Sequence, residues 1–135
     1  MTTIALRYCP ITVDDVDAAI VFYRDALGLE ERTDVGAGDF RWVTLGFPGL
    51  PAPEVVLSAP GAGRSPEDGE AVHRLLAKGV LGLIVFSTDD VDALFERVRA
   101  TGAEVLQEPI DQDWGPRDCA FRDPAGNTIR VNQTV

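Results

Sequence analysis

The sequence predicts an α+β fold made of two tandem copies of one βαβββ module, and three observations carry that expectation. Asp14-Asp15-Val16-Asp17-Ala18 recurs letter for letter as Asp89-Asp90-Val91-Asp92-Ala93, a shift of 75 residues. Each copy follows an apolar, strand-like run, Tyr8 to Val13 or Leu83 to Thr88. Each copy also opens a stretch with apolar residues at i, i+3, i+4 and i+7, the spacing of a one-faced helix. These are Val16, Ala19, Ile20 and Tyr23 in the first copy and Val91, Leu94, Phe95 and Val98 in the second. Gly28 and Gly102 follow where such helices would end in a left-handed residue.

Taken in order, each element has a local cause. The paired aspartates suit a helix start, because an Asp side chain accepts from free N–H groups of the first turn and its charge favours the positive end of the helix dipole. Phe40 to Phe47 and Glu54 to Ser58 read as a hairpin, split by the turn Pro48-Gly49-Leu50-Pro51-Ala52-Pro53. Ala59 to Pro66, rich in Gly, Pro, Ser and Ala, reads as a linker. A short helix then begins with Ser65 as N-cap and Pro66 at its first position, carries Val72, Leu75 and Leu76 as its apolar stripe, and stops at Gly79. The second copy repeats the order with helix Val91 to Ala100 and strands Glu104 to Leu106, Asp118 to Arg122 and Thr128 to Asn132. Asp123-Pro124-Ala125-Gly126-Asn127 reads as the tight turn before the last strand. The expected organisation is residues 1–58 as the first module, 59–82 as linker and short helix, and 83–135 as the second module, together one domain.

Composition narrows the functions. A chain of 135 residues can bury a real core but not two large domains. A net charge of −10, from 12 Lys and Arg against 22 Asp and Glu, argues against nucleic acid, which is bound through clustered cations. No apolar run approaches the roughly 20 residues that cross a bilayer, so no membrane partner is expected. The N-terminus lacks the features of a secretory signal, and the expected location is cytoplasmic. Cys9 and Cys119 lie in strand-like segments and read as free, buried thiols. The single histidine, His73, reads as a solvated residue of the linker helix, and no nucleophile has a base beside it in a recognised motif.

The two modules, the segment Phe22-Tyr23-Arg24-Asp25-Ala26-Leu27-Gly28-Leu29 and the closing Phe121-Arg122-Asp123-Pro124-Ala125-Gly126-Asn127 resemble the vicinal oxygen chelate superfamily. Glyoxalase I, extradiol dioxygenases, fosfomycin-modifying enzymes and bleomycin-binding resistance proteins belong to it. The resemblance covers nearly the whole chain. It implies a cupped, mixed β-sheet around a cavity, and a homodimer in which modules pair or exchange. It also implies a divalent metal held by His, Glu, His and Glu on the cavity face. In this chain those four places fall at Tyr8, Val56, Leu83 and Arg130. Tyrosine is a poor ligand near neutral pH and arginine is a permanent cation, so no metal and no other cofactor is expected.

Alternation along the strands carries Thr12, Val85, Ser87, Thr128 and Asn132 to the same inner face as the four. Trp42 and Trp114 could add flat walls or a lid. The candidate ligand-binding residues are therefore Tyr8, Thr12, Trp42, Val56, Leu83, Ser87, Trp114, Arg130 and Asn132. Arg130 must meet a ligand anion, solvent or a carboxylate such as Glu54 or Asp118, because an unpaired buried charge is costly. Tyr8 could fill the space of the missing metal, its hydroxyl bonded to Arg130 or Asn132. The leading expectation is a metal-independent binder of a small organic molecule, in the manner of the bleomycin-binding proteins. Two alternatives stand beside it. One is a glyoxalase-like lyase or dioxygenase with an unconventional metal site at Glu54 and Asp118. The other is a structural or regulatory dimer with its cavity packed shut by Tyr8, Leu83 and Arg130.

Overall fold

A computed structural model describes residues 2–134; Met1 and Val135, the outer limits of the two expected modules, lie outside the described residues. The first half runs β1 (Tyr8–Thr12), α1 (Val16–Ile20), β2 (Glu30–Ala37), β3 (Phe40–Gly46) and β4 (Glu54–Ser58). Helix α1 passes directly into one widened, π-helical stretch, Val21–Ala26. Helix α2 (Pro66–Ala77) connects to the second half: β5 (Leu83–Thr88), α3 (Val91–Ala100), β6 (Glu104–Asp111), β7 (Arg117–Arg122) and β8 (Thr128–Gln133). Both sheets have four strands in the same order, β1-β4-β3-β2 and β5-β8-β7-β6. In each, the first strand lies parallel to the last and the remaining pairs are antiparallel. The repeat extends to register: Tyr8 sits opposite Glu54 as Leu83 sits opposite Thr128, and Pro10 opposite Val56 as Val85 opposite Arg130.

The duplicated aspartates act identically. Asp15 accepts from the Ala18 N–H at 3.1 Å and Asp90 from the Ala93 N–H at 3.0 Å, each as the N-cap of its helix. Ser65 caps α2 in the same way through the Asp68 N–H. Gly28 and Gly102 end the two repeated helices at φ +87° and +88°, a conformation that costs other residues their Cβ clearance.

Three expectations need correction. The βαβββ order requires a strand between the first helix and Phe40, but Glu30, Glu31, Arg32 and Asp34 hide its alternation and the sequence assigns it no residues; it is β2, an exposed edge strand secured by ion pairs, among them Arg41 with Asp34 at 2.8 Å. Strand β6 extends to Asp111 rather than stopping at Leu106, with two register shifts along an edge that also carries Pro109. Of the apolar stripe expected on α2 only Leu76 is buried, whereas Val72 is partly buried and Leu75 half-exposed.

One continuous core joins the modules. Ile11, Val13, Ile20 and Tyr23 from the first half pack in the same cluster as Val91, Phe95, Val98 and Ile129 from the second. Polar clasps reinforce it. Arg97 on α3 donates to the Ala26 and Leu27 carbonyls, both at 3.0 Å, satisfying acceptors that the end of the first helix leaves open. The two short motifs behind the family resemblance meet at Asp123. Its Oδ1 accepts from the Ala125, Gly126 and Asn127 N–H groups at 3.0, 2.9 and 2.8 Å. Its Oδ2 accepts from the Tyr23 hydroxyl at 2.6 Å and from Asn127 Nδ2 at 2.9 Å. The same Asn127 Nδ2 also reaches the other sheet, donating to the Thr12 carbonyl at 2.8 Å.

Candidate ligand-binding faces

Strand alternation sorts each sheet into a face turned to the shared core and an opposite face. Cys9, Ile11, Ile84, Phe86, Ile129 and Val131 have the phase of the core face, and all but Cys9 belong to the core or pack against it. Tyr8, Thr12, Leu83, Val85, Ser87, Arg130 and Asn132 therefore have the opposite phase, as expected from the sequence. The register adds Glu54, Val56, Trp42 and Thr44 on the first sheet and Asp118 and Ala120 on the second.

The first sheet carries an aromatic corner. The Tyr8 and Trp42 rings meet edge to face, with centroids 5.7 Å apart and planes at 82°. The Arg7 guanidinium lies 4.4 Å from the centre of the Tyr8 ring and also pairs with Glu54 at 3.0 Å. The Thr44 hydroxyl and then Arg7 hold the Glu54 carboxyl below the usual carboxylate range. The Arg7 contact is the better formed of the two, because Thr44 Oγ1 is buried without a well-aligned hydrogen bond. Val56 is buried beside this corner.

The second sheet carries a polar network that the sequence showed only in part. Asp118 is fully buried, and its Oδ2 accepts from Arg130 Nε at 3.1 Å. Its Oδ1 accepts from Gln107 Nε2 at 2.9 Å and Gln112 Nε2 at 2.8 Å. Arg130 Nη2 in turn donates to Gln107 Oε1 at 2.6 Å. Burial pushes the Asp118 carboxyl upward, but hydrogen bonds from Gln112, Gln107 and Arg130 outweigh it and hold the group below its ordinary range. Of the partners open to Arg130, the structure selects Asp118, not Glu54. The two glutamines carry no periodic signal, sitting on a bulged edge strand and in the loop after it.

Other expectations resolve separately. The Tyr8 hydroxyl makes no bond to Arg130 or Asn132 among the described residues. Tyr8 stands against Trp42 instead, because its strand belongs to the other sheet. Leu83 is 62 % exposed and Val85 54 %, so this face is not packed shut within one chain. Trp114 is also solvent-exposed, in the loop between β6 and β7, and not a core residue. His73 is exposed. Cys9 and Cys119 are unpaired, and burial raises the Cys119 thiol to about 11.

The donor set does not suit a divalent cation. Tyr8, Val56, Leu83 and Arg130 offer a phenol, two hydrocarbons and a cation. Among the described residues no three His, Cys, Asp or Glu side chains converge. Glu54 and Asp118 lie in different sheets, each already neutralised by an arginine. A separate cleft of about 580 Å³ lies away from these faces, between the π-helical stretch and the Asp123 turn, where Phe22, Ala26 and Ala125 form part of its wall.

Comparison with known proteins agrees with this architecture. Residues 5–131 match the model of the Glyoxalase/Bleomycin resistance protein/Dioxygenase superfamily. The crystal structure of UcmS2 superposes with a TM-score of 0.87 and 33 % identity, covering 98 % of this chain and 100 % of that one. TnmS3, an antibiotic binding protein from Streptomyces sp. CB03234, superposes with a TM-score of 0.77 and 27 % identity over 100 % and 99 % of the two chains. A probable lactoylglutathione lyase of Synechocystis sp. is 27 % identical over 96 % of this chain and 95 % of its own. The chain belongs to the glyoxalase/bleomycin resistance protein/dioxygenase superfamily.

Proposed function

We propose that this chain is a metal-independent binding protein for a small aromatic molecule, held against the sheet faces that carry Tyr8, Thr12, Trp42, Val56, Leu83, Ser87, Arg130 and Asn132, with Trp114 at the rim. The observation that carries the proposal is the replacement of all four expected metal ligands by Tyr8, Val56, Leu83 and Arg130. The Tyr8–Trp42 corner and the exposed Leu83 and Val85 supply flat and apolar surface beside a few fixed polar groups, the usual make-up of a small-molecule site. The likeness to TnmS3, an antibiotic binding protein, supports the same class of function. The likeness to a probable lactoylglutathione lyase favours an enzyme instead, but the carboxylates such a site would need, Glu54 and Asp118, are each engaged by arginine. Free thiols at Cys9 and Cys119 suit the cytoplasm.

Titration with Zn²⁺, Ni²⁺, Fe²⁺ and Mn²⁺, with elemental analysis of the purified protein, tests metal independence. No stoichiometric metal is expected, and one tightly held ion per chain would favour the lyase.

The same faces argue for a homodimer. Leu83, Val85, Leu106 and Ile110 remain exposed on the second sheet of a single chain, an apolar surface that a second copy would cover. Sedimentation at micromolar concentration should give twice the monomer mass of 14.6 kDa. A mass that stays monomeric across the concentration range would count against the dimer.

A further inference from the structure

The Arg130 network bears on the charge of whatever binds. Arginine on a ligand-facing strand suggests an anion, yet here its charge is already matched. Asp118, fully buried, takes Arg130 Nε, and Gln107 takes Nη2, so the guanidinium is fixed in one plane by two neighbours. Among the described residues Nη1 has no hydrogen-bond partner, while the side chain is 29 % exposed. What the site offers at this point is a directed donor inside a neutral ion pair. The chain as a whole, at −10, repels anions. Two residues further along β8, on the same face, Asn132 Oδ1 is buried and likewise without a partner among the described residues. A buried acceptor left unpaired is costly, so a ligand that donates to it would recover that energy. Strand geometry separates the two positions by about 6.6 Å.

Resting on the binding function proposed above, we infer that this wall selects an uncharged ligand, taking a carbonyl-type oxygen at Arg130 Nη1 and a hydroxyl or N–H donor at Asn132 Oδ1, and that it discriminates against carboxylates and other anions. Preorganisation makes the discrimination effective. The guanidinium does not have to be ordered on binding, and a carboxylate arriving there would face the buried Asp118 charge behind its cation.

Three probes of one shape separate the possibilities by calorimetric titration of the intact protein. 6-Hydroxy-2-acetylnaphthalene is neutral and carries the acceptor and the donor at opposite ends. 6-Hydroxy-2-naphthoate replaces the ketone by a carboxylate, and 2-acetylnaphthalene lacks the hydroxyl. The hydroxy-ketone is expected to bind at least about tenfold more tightly than either of the others, the effect of one unmade hydrogen bond in a buried setting. Asn132→Ala should bring the hydroxy-ketone and 2-acetylnaphthalene to equal affinity. Asp118→Asn, which leaves Arg130 unneutralised, should shift the preference toward the carboxylate. Preference of the unmodified protein for 6-hydroxy-2-naphthoate would overturn this inference while leaving the binding function standing. Failure of all three probes to bind would overturn both. The comparison in the unmodified protein holds even where a variant fails to fold.

Discussion

Asp123→Ala is expected to destabilise the protein by about 4 kcal/mol or more, measured by chemical denaturation at neutral pH, since each buried donor left without its acceptor costs about 1–3 kcal/mol. The carboxylate is 4 % exposed and receives five hydrogen bonds, three from the turn it caps and two from the Tyr23 hydroxyl and the Asn127 amide. Alanine would keep only two main-chain bonds, from the Asp123 N–H to the Asn127 carbonyl and from the Gly126 N–H to the Asp123 carbonyl. Tyr23→Phe removes a single partner and should cost about 1–2 kcal/mol. The same contact sets an alkaline limit. Burial, the Asp123 charge and the hydrogen bond to Asp123 push the Tyr23 phenol far above its ordinary range. In the unfolded chain it ionises near pH 10, so its contribution is complete below about pH 10 and is lost progressively above it. Tyr23→Phe should flatten that alkaline decline. A loss below about 1 kcal/mol for Asp123→Ala would mean that the main chain alone holds the turn.

Asp123 also shows how far the sequence carries. Turn chemistry alone explains Pro124, Gly126 and Asn127, but the bond to Tyr23, 100 residues away, is a tertiary fact that no local pattern contains. The repeated Asp-Asp pairs were legible because capping is local: one residue type, one spacing, one geometry, found twice at Asp15 and Asp90. Strands β4 and β5 were legible at both ends because they are apolar runs bounded by turns. Strand β2 was not, since an edge strand held by Arg41–Asp34 and Arg24–Glu31 pairs looks like a charged loop. The π-helical widening after Ile20 leaves no trace in a pattern that fits an ordinary helix equally well. On the candidate site, the inward phase of Arg130 and its two possible carboxylate partners could be read from alternation. The choice of Asp118 depends on β7 lying next to β8, and the roles of Gln107 and Gln112 depend on the bulges of β6, neither of which has a sequence signature.

That choice sets the second large effect. Arg130→Met keeps the apolar length of the side chain but leaves Asp118 ionised and fully buried with only two glutamine amides. Breaking one side of a buried ion pair costs about 3–5 kcal/mol, and because the Arg130 side chain is 29 % exposed the lower figure, about 3 kcal/mol, is expected for the ligand-free protein. The pH dependence has a definite sign. Asp118 is held below its ordinary range in the folded protein, so the pair's stabilisation is present above the unfolded carboxylate value near 4 and fades as pH falls through the lower folded value. The gap between variant and parent should therefore narrow below about pH 4. Combining Arg130→Met with Asp118→Asn removes both charges and should restore much of the stability, as neutral replacement of a buried pair often does. Thermal and urea unfolding of the four proteins closes the cycle. Were the single change to cost under about 1 kcal/mol without ligand, the ion pair would contribute little, and Arg130 would be held in place for what it binds rather than for the fold.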